Sequence, residues 1–336
     1  MESATSKHTV FEELRSFRSK IPRDKLRKWE RPEGWEAVRK FTQDWAIILA
    51  SHRIFTYHPS VLTFVAAAFL MAWGQRGIAC VGHDAIHGNL ASHRKVNDLI
   101  TNIFLAPPLL STATTQRKQH SLHHHLLGTK EDPDHGEDNE TSLKHCRMGK
   151  VEQMNMFSLF LIDVIDPPFW FRYAVADLKD AFVPLTLWWT IAYFLSLWLL
   201  EPAESIFTIG SIRISSFVVL FHTARCTVSY CCYVFREIID HGGLDPKSGV
   251  LQFGRVTPWG SVFQVYFQPH DDNYHLLHHA LPRIPMSNLR PAHKWLMKNC
   301  EDYAKANHYD TYFEGSHALF TEQLFAFPKP DVQEND

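Results

Sequence analysis

The stretch AFVPLTLWWTIAYFLSLWLL, residues 181–200, decides the fold class because none of its 20 residues is charged. A helix of about 20 residues is as long as the hydrocarbon core of a bilayer is thick. Trp188, Trp189 and Trp198 suit the edges of such a helix, since tryptophan is enriched where a span meets the lipid headgroups. We therefore predict that this stretch crosses a membrane rather than lying inside a soluble core.

Apolar residues concentrate in two blocks, 44–82 and 181–235. The first block is typical of a helical hairpin, with a short arm at 45–57 and a longer arm at 61–82 joined by the tight YHPS link at 57–60. The mean hydropathy of the whole chain is slightly negative, so a large polar part is expected outside the lipid.

The arm that closes the second block contains Arg213, His222 and Arg225, which are costly in lipid unless they face protein or water. Its span begins either near Ile206 or near Ile214, and the sequence leaves both starts open. With this arm included, the sequence predicts an all-α membrane protein of about four transmembrane helices in two hairpins.

The distribution of charge predicts the orientation of these spans. Segment 15–31 carries eight basic residues and lacks the apolar core of a signal peptide. By the positive-inside rule, the N-terminus is therefore predicted to be cytoplasmic. The two short outer links, 57–60 and 201–205, contain no Lys or Arg, which agrees with this orientation. Two hairpins then place 83–180 and 236–336 on the cytoplasmic side, as a helical cap.

The chain is accordingly predicted to divide into a basic cytoplasmic N-terminal segment at 1–43, a membrane domain at 44–300 and a cytoplasmic C-terminal tail at 301–336. A net charge of −2, with acidic residues interspersed among the basic ones, gives no case for a nucleic-acid partner. The six cysteines include no C-x-x-C pair, which disfavours structural zinc and suits a reducing compartment.

Three clusters of histidine have helical spacing, so each cluster directs its imidazoles to one side of a helix. They are His83-x3-His87, His120-x2-His123-His124 and His275-x2-His278-His279. These eight imidazoles exceed the ordinary coordination of one ion, so we predict two metal ions. An all-histidine site for two metals with room for a small ligand favours a di-iron centre that binds oxygen, although spacing alone does not identify iron. Four nearby histidines complete no pattern and are interpreted as supporting or solvated: His93, His125, His135 and His270.

In order along the chain, the clusters resemble the three histidine boxes of the membrane fatty acid desaturase and hydroxylase superfamily. The stretch GHDAIHGNL at 82–90 resembles the first box of the family. The second box is matched by HSLHH at 120–124, which is followed by DPD at 132–134, and the third by NYHLLHHALPRIP at 273–285. The resemblance extends from about residue 45 to about residue 290. It implies a helical membrane domain whose cytoplasmic cap holds two iron ions.

The resemblance also suggests functional residues outside the clusters. The run REIIDHG at 236–242 is similar to a family pattern in which His241 is a ninth ligand, although a lone histidine on an apolar helix is more often structural. Glu237 would support a ligand or approach iron through water. The other residues expected to support the ligands are Asp84, Asp240 and Asn273.

The activity that the resemblance implies is the oxygen-dependent introduction of a double bond into a fatty acyl chain. The sequence lacks the His-Pro-Gly-Gly haem motif of cytochrome b5, so electrons would come from a separate ferredoxin or cytochrome b5. The first box and the DPD run are also similar to carotenoid ketolases, so a hydroxylase or ketolase acting on a carotenoid or another lipid stays open. A metal transporter is a remote alternative, because transporters place their ligands at the membrane midplane and these boxes lie outside the predicted spans.

Overall fold

The computed structural model describes residues 2–129, 131–134, 155–202, 204, 206–242, 244, 249–315 and 317–321, with side chains from residue 10 onward except that of Met156. Helix covers most of this part of the chain. The α-helices are α1 (Glu2–Ser19), α2 (Arg23–Trp29), α3 (Trp35–Tyr57), α4 (Val61–Ile86), α5 (Arg94–Ile100), α6 (Ala113–Leu126), α7 (Met156–Val164), α8 (Pro167–Val175), α9 (Phe182–Leu199), α10 (Ser216–Ala224), α11 (Tyr230–His241), α12 (Val262–Phe267), α13 (His275–Ala280), α14 (Met286–Asn299) and α15 (Glu301–Ala304). Shorter helical turns occupy Thr101–Leu105, Pro107–Leu109, Ala176–Lys179, Arg225–Ser229 and Pro269–Asp271.

Helices α3 and α4 form the first hairpin, and both are longer than the predicted arms. Ser60 caps α4, because its side chain accepts a hydrogen bond from the Thr63 backbone while the Thr63 hydroxyl accepts one from the Ser60 backbone. Gly77 lets the two helices approach closely, since a Cβ at this position would lie 2.1 Å from Oδ1 of Asp44. Helix α4 continues to Ile86 and so carries the first histidine box on its last turn.

A short β-hairpin precedes the last long helical run. Strand β1 (Phe207–Ile209) pairs antiparallel with β2 (Ile212–Ile214), and Gly210 adopts a φ of +60° in the turn. Apolar residues alternate with Thr208 and Arg213 along the two strands, and a period of two favours strand over helix. The prediction of an all-α chain is wrong at this position.

Helices α10 and α11 and the helical turn between them form one continuous run, Ser216–His241. The run begins beside Ile214, so a start near Ile206 is wrong. The outer link is therefore longer than the predicted 201–205, and it contains Arg213. One arginine does not offset the eight basic residues of the N-terminal segment, so the charge bias still favours the predicted orientation.

Within the described residues, three helical runs are long and apolar enough to cross a membrane: Val61–Ile86, Phe182–Leu199 and Ser216–His241. Large apolar side chains are exposed on the first two of these runs, and on α9 the side chains of Val183 and Trp198 are 73% and 78% exposed. Such a continuous apolar surface is unfavourable in water and suits lipid. The chain is thus a helical membrane protein. The remaining predicted span falls in α3, which is not among these three runs, so a fourth span stays a prediction.

The tryptophans of α9 have two different roles. The indole N–H groups of Trp188 and Trp189 donate to the carbonyl oxygens of Ile103 and Pro107, at 2.9 and 3.0 Å. These bonds attach α9 to the segment between the first two histidine boxes. Of the three tryptophans predicted as interfacial anchors, Trp198 keeps the exposed position that this role requires.

Polar groups of the last span face protein rather than lipid. Arg225 is 2% exposed, and its guanidinium donates to the carbonyl oxygens of Tyr173 and Leu109 at 2.7 and 3.3 Å. His222 packs on the ring of Trp189. Arg225 and His222 therefore face protein, which makes these polar side chains tolerable in a membrane helix.

The N-terminal helices and the C-terminal helices share one hydrophobic core. Phe17 of α1 stacks on Tyr303 of α15, and Trp29 of α2 packs on Trp295 of α14. Apolar side chains of α13 belong to the same core, which therefore holds the third histidine box in position. The division of the chain into three segments stays a prediction, but this core connects all three of them.

Candidate metal centre

The nine histidines predicted as ligands lie at or near the ends of four helices that meet. Helix α4 ends at His87 because Gly88 then adopts a φ of +84°. A capping box between Thr112 and Thr115 fixes the start of α6. Helix α4 and its cap provide His83 and His87, α6 provides His120, His123 and His124, α11 provides His241, and α13 provides His275, His278 and His279.

Five of these histidines form a first group. In it, one ring nitrogen of each residue lies within 4.8 Å of those of the others. Nε2 of His120 is 2.7 Å from Nε2 of His83 and 2.9 Å from Nε2 of His124. Nε2 of His278 is 3.2 Å from Nε2 of His124. The fifth member is His87.

The other four histidines form a second group beside the first. Ring nitrogens of His123, His241 and His279 lie within 4.8 Å of one another. His275 completes the group, with its Nε2 2.7 Å from that of His241 and 2.9 Å from that of His279. The rings of His279 and His124 stack across the two groups with centroids 4.4 Å apart. The chain therefore brings all nine predicted histidines together as adjacent groups of five and four.

The protonation of these histidines suits metal binding. Burial, and then the charge of neighbouring imidazoles, lowers the pKa of His120, His124 and His279 well below the ordinary value. Burial also lowers the pKa of His87 to about 4, and its buried Nε2 has no hydrogen-bond partner among the residues that the structure describes. These imidazoles are neutral near pH 7, and the neutral imidazole is the form that binds metals.

The spacing of the nitrogens also suits metal binding. Two imidazole nitrogens that bind one ion at right angles, each about 2.1 Å from it, are about 3.0 Å apart. The short Nε2–Nε2 distances within the groups range from 2.7 to 3.3 Å. Each group therefore fits one transition-metal ion. Imidazole suits iron, copper, zinc and nickel, so the histidine ligands limit the choice of metal to these ions but do not identify which one binds.

Two histidines of the second group have their Nδ1 atoms held by neighbouring acceptors. Nδ1 of His123 lies 2.8 Å from Oδ1 of Asp132, and Nδ1 of His241 lies 2.8 Å from the carbonyl oxygen of Phe253. A proton on each Nδ1 leaves the lone pair on Nε2, directed at the group. Burial by itself lowers the pKa of His123, but Asp132 and Asp134 outweigh it and raise the pKa to about 9. A more basic imidazole is a stronger donor to a metal.

Two of the residues expected to support the ligands lie beside the groups. Oδ2 of Asp240 is 3.7 Å from Nδ1 of His275 and 3.0 Å from Nε of Arg236. Oε1 of Glu237 accepts a hydrogen bond from Nη1 of Arg236 at 2.6 Å, and Glu237 shares a cavity wall with His83. Their positions agree with a supporting role.

The other two supporting candidates brace the backbone of the cap. Oδ1 of Asp84 accepts from Asn89 at 2.6 Å, and Oδ2 accepts from the backbone N–H of Met286 at 3.0 Å. Nδ2 of Asn273 donates to the carbonyl oxygen of Thr257 at 2.9 Å. Asp84 thus ties α4 to the start of α14, and Asn273 ties the start of the third box to Thr257.

The remaining histidines of interest lie apart from the two groups. His125 is exposed on α6, His93 precedes α5, and Nε2 of His270 pairs with Asp44 at 2.9 Å. His135 lies outside the described residues. The described free cysteines, which exclude Cys146, contribute no atom to either group.

An ion network beside the first group was not predicted from the sequence. Asp272, which is 3% exposed, accepts from Arg76 at 2.5 Å and from Arg236 at 3.1 Å. Its Oδ1 is 3.9 Å from Nδ1 of His83. Burial raises the pKa of Asp272, but the two guanidinium groups outweigh this effect and lower the pKa to about 2. The carboxylate therefore stays charged and links α4, α11 and the third box.

A cavity of about 550 Å³ lies next to the first group. His83, Glu237 and Asp272 contribute to its wall, together with apolar side chains such as Leu109 and Phe169. Pockets of this size hold small or medium-sized organic ligands. His83 of the first group is therefore accessible to a molecule that occupies this cavity.

Comparison with known proteins agrees with the geometry. Residues 59–311, about three quarters of the chain, match the family model described as fatty acid desaturase. The dihydrorhizobitoxine desaturase of Bradyrhizobium elkanii is 25% identical to this chain over 292 residues, which cover 82% of this chain and 79% of that protein. The match contains all three histidine boxes and His241. The chain therefore belongs to the fatty acid desaturase family and is a membrane oxidoreductase.

Proposed function

We propose that the protein is an oxygen-dependent di-iron desaturase that introduces a double bond into a fatty acyl chain. The observation that carries this proposal is the arrangement of nine histidines as adjacent groups of five and four at the ends of four helices. Family membership supports a desaturase rather than a transporter of metal. The metal ligands in this proposal are the nine histidines named above.

In this proposal each group holds one iron ion, and the bound pair would supply the oxygen chemistry that removes hydrogen from an unactivated C–H bond. The chain itself keeps the buried imidazoles of His87, His120, His124 and His279 neutral. Asp132 and the Phe253 carbonyl fix two imidazoles by accepting from their Nδ1 atoms. Arg236 and Asp272 neutralise each other beside the first group, so the ligands face no uncompensated charge.

The cavity beside His83 supports the placement of a substrate next to the first group. Apolar side chains such as Leu109 and Phe169 would contact the chain that is oxidised, and Glu237 would lie near its reacting carbon atoms. Electrons are proposed to come from a separate ferredoxin or cytochrome b5.

Mass spectrometry of perdeuterated lipids tests the reaction type. Cells whose lipids are perdeuterated would express the protein under oxygen-18 gas. We expect them to form an acyl product that has lost two vicinal deuteriums and has gained no labelled oxygen. Cells that express His279→Ala, and cells kept without oxygen, are the controls. A product with one labelled oxygen atom would make the protein a hydroxylase or ketolase on an acyl chain or a carotenoid, and the desaturase assignment would then be abandoned while the metal centre is kept.

We also propose four spans, with both termini and the histidine boxes on the cytoplasmic side. The basic segment 15–31 supports this orientation. In a cysteine-free variant, a cysteine added after Asp336 should resist a membrane-impermeant thiol reagent in intact cells. A Gly210→Cys variant of the same protein should react, because Gly210 is in the exposed turn of the β-hairpin. The reverse labelling pattern would contradict the topology.

A further inference from the structure

The cavity beside the first histidine group has four arginines in its wall. Three of them have partners within the protein. Arg76 and Arg236 pair with Asp272. Arg225 donates to three backbone carbonyl oxygens, including that of Ala174 at 2.8 Å. These three guanidinium groups are satisfied before any ligand enters.

The fourth arginine, Arg172 on α8, is not satisfied. Its Nε and Nη2 are buried and have no hydrogen-bond partner within the described part of the chain. The guanidinium lies over the ring of Phe169, with its central carbon 5.8 Å from the ring centroid. A buried donor without a partner costs free energy, so such a group calls for an explanation. The guanidinium of Arg172 can therefore donate hydrogen bonds to an acceptor that enters the cavity.

The acidic groups of the same cavity do not compensate Arg172. Asp177 accepts hydrogen bonds from the hydroxyls of Ser111 and Thr115. Asp272 is bound by Arg76 and Arg236, and Glu237 is bound by Arg236. Asp134, the fourth acidic residue of the wall, pairs with His123, whose Nδ1 is 3.6 Å from its Oδ2. The positive charge of Arg172 is therefore available to a ligand in the cavity.

The position of α8 separates Arg172 from the histidines. Phe169 and Tyr173, which flank Arg172 on one face of α8, pack against Tyr230 of α11. From Tyr230 to Glu237 the helix advances by seven residues, or about 10 Å. The cavity thus has one side near Arg172 and another near Glu237 and His83, about two helical turns away.

We propose that Arg172 binds a carboxylate group of the substrate, so that the protein oxidises an amphipathic free acid rather than an ester or thioester. Guanidinium offers a planar pair of donors that matches the two oxygens of a carboxylate. The carbon atom that reacts would lie several atoms from this carboxylate, next to Glu237 and His83. That the bound acid is oxidised rests on the proposed function. The binding of the acid, in contrast, can be measured without turnover.

Ligand binding to the purified protein in lipid nanodiscs, without oxygen, tests the inference. The probes are decanoate, methyl decanoate and decyl phosphate. We expect wild-type protein to bind decanoate more tightly than the other two. Arg172→Gln should weaken decanoate binding at least about tenfold, because a charge-assisted pair is lost, and should leave methyl decanoate unaffected. Arg172→Lys should restore part of the affinity for decanoate.

Arg94→Gln is the matched control, because Arg94 is an exposed arginine outside the cavity. It should bind decanoate as the wild type does. Iron content and melting temperature of each variant show whether it is folded. Decanoate binding that Arg172→Gln leaves unchanged, or a preference for decyl phosphate over decanoate, would overturn the carboxylate site. Arg172-dependent binding of decanoate in a protein without desaturase activity would support the site and overturn the proposed function instead.

Discussion

We expect His279→Ala to reduce turnover to background and to lower the iron content of the folded protein. His279 is 1% exposed and lies at the boundary of the two histidine groups, with its Nε2 2.9 Å from that of His275 and 3.3 Å from that of His123. Loss of a residue that only supports a ligand costs about 10–100-fold in metal affinity or activity, and loss of a ligand itself should cost more. We therefore expect a decrease in turnover of more than about 100-fold.

Iron per folded protein, measured by mass spectrometry after gel filtration, checks this result independently of activity. His125→Ala is the control, because His125 is exposed on α6 next to the clustered histidines and belongs to neither group. It should keep both its iron and its turnover. A His279→Ala protein that retains full iron and activity would remove His279 from the ligand set.

Asp272→Asn should cause the largest loss of stability of any single substitution outside the ligands. The substitution removes the charge that faces Arg76 and Arg236. Arg236 keeps Glu237 and Asp240, but the buried guanidinium of Arg76 loses its carboxylate partner among the described residues. Breaking a buried ion pair by removing one partner costs about 3–5 kcal/mol. We expect the free energy of unfolding to fall by about this amount.

Thermal unfolding followed by tryptophan fluorescence in one detergent measures the effect. Asp302→Asn is the matched control, because Asp302 pairs with Lys20 at the exposed surface. Its melting temperature should stay close to that of the wild type, since exposed ion pairs contribute little. Equal melting temperatures for Asp272→Asn and Asp302→Asn would show that the buried network does not stabilise the fold.

Local sequence patterns were sufficient to predict the parts of the fold that depend on helical spacing. The i, i+3 and i+4 positions of His120, His123 and His124 place three imidazoles on one side of α6, and the structure has that helix. The start of the fourth span was left open, although the alternation in Phe207–Ile214 and the turn at Gly210 indicate two strands. A period of two in so short a segment is easily missed between two long apolar helices.

Contacts between distant parts of the chain could not be predicted in the same way. Arg76 and Asp272 are 196 residues apart in sequence, and no local pattern relates them. Asp132 follows His123 by nine residues, and its hydrogen bond to Nδ1 depends on how the loop after α6 returns. His241 was suggested by family resemblance, because a single histidine on an apolar helix carries no spacing signal.

The central claim is that the groups of five and four histidines hold two iron ions. Metal analysis combined with Mössbauer spectroscopy of wild-type protein loaded with iron-57 tests it most directly. We predict two irons per chain and two distinguishable iron signals, because the two groups differ in the number of imidazoles they offer. One iron per chain, or zinc in place of iron in the active protein, would contradict the claim.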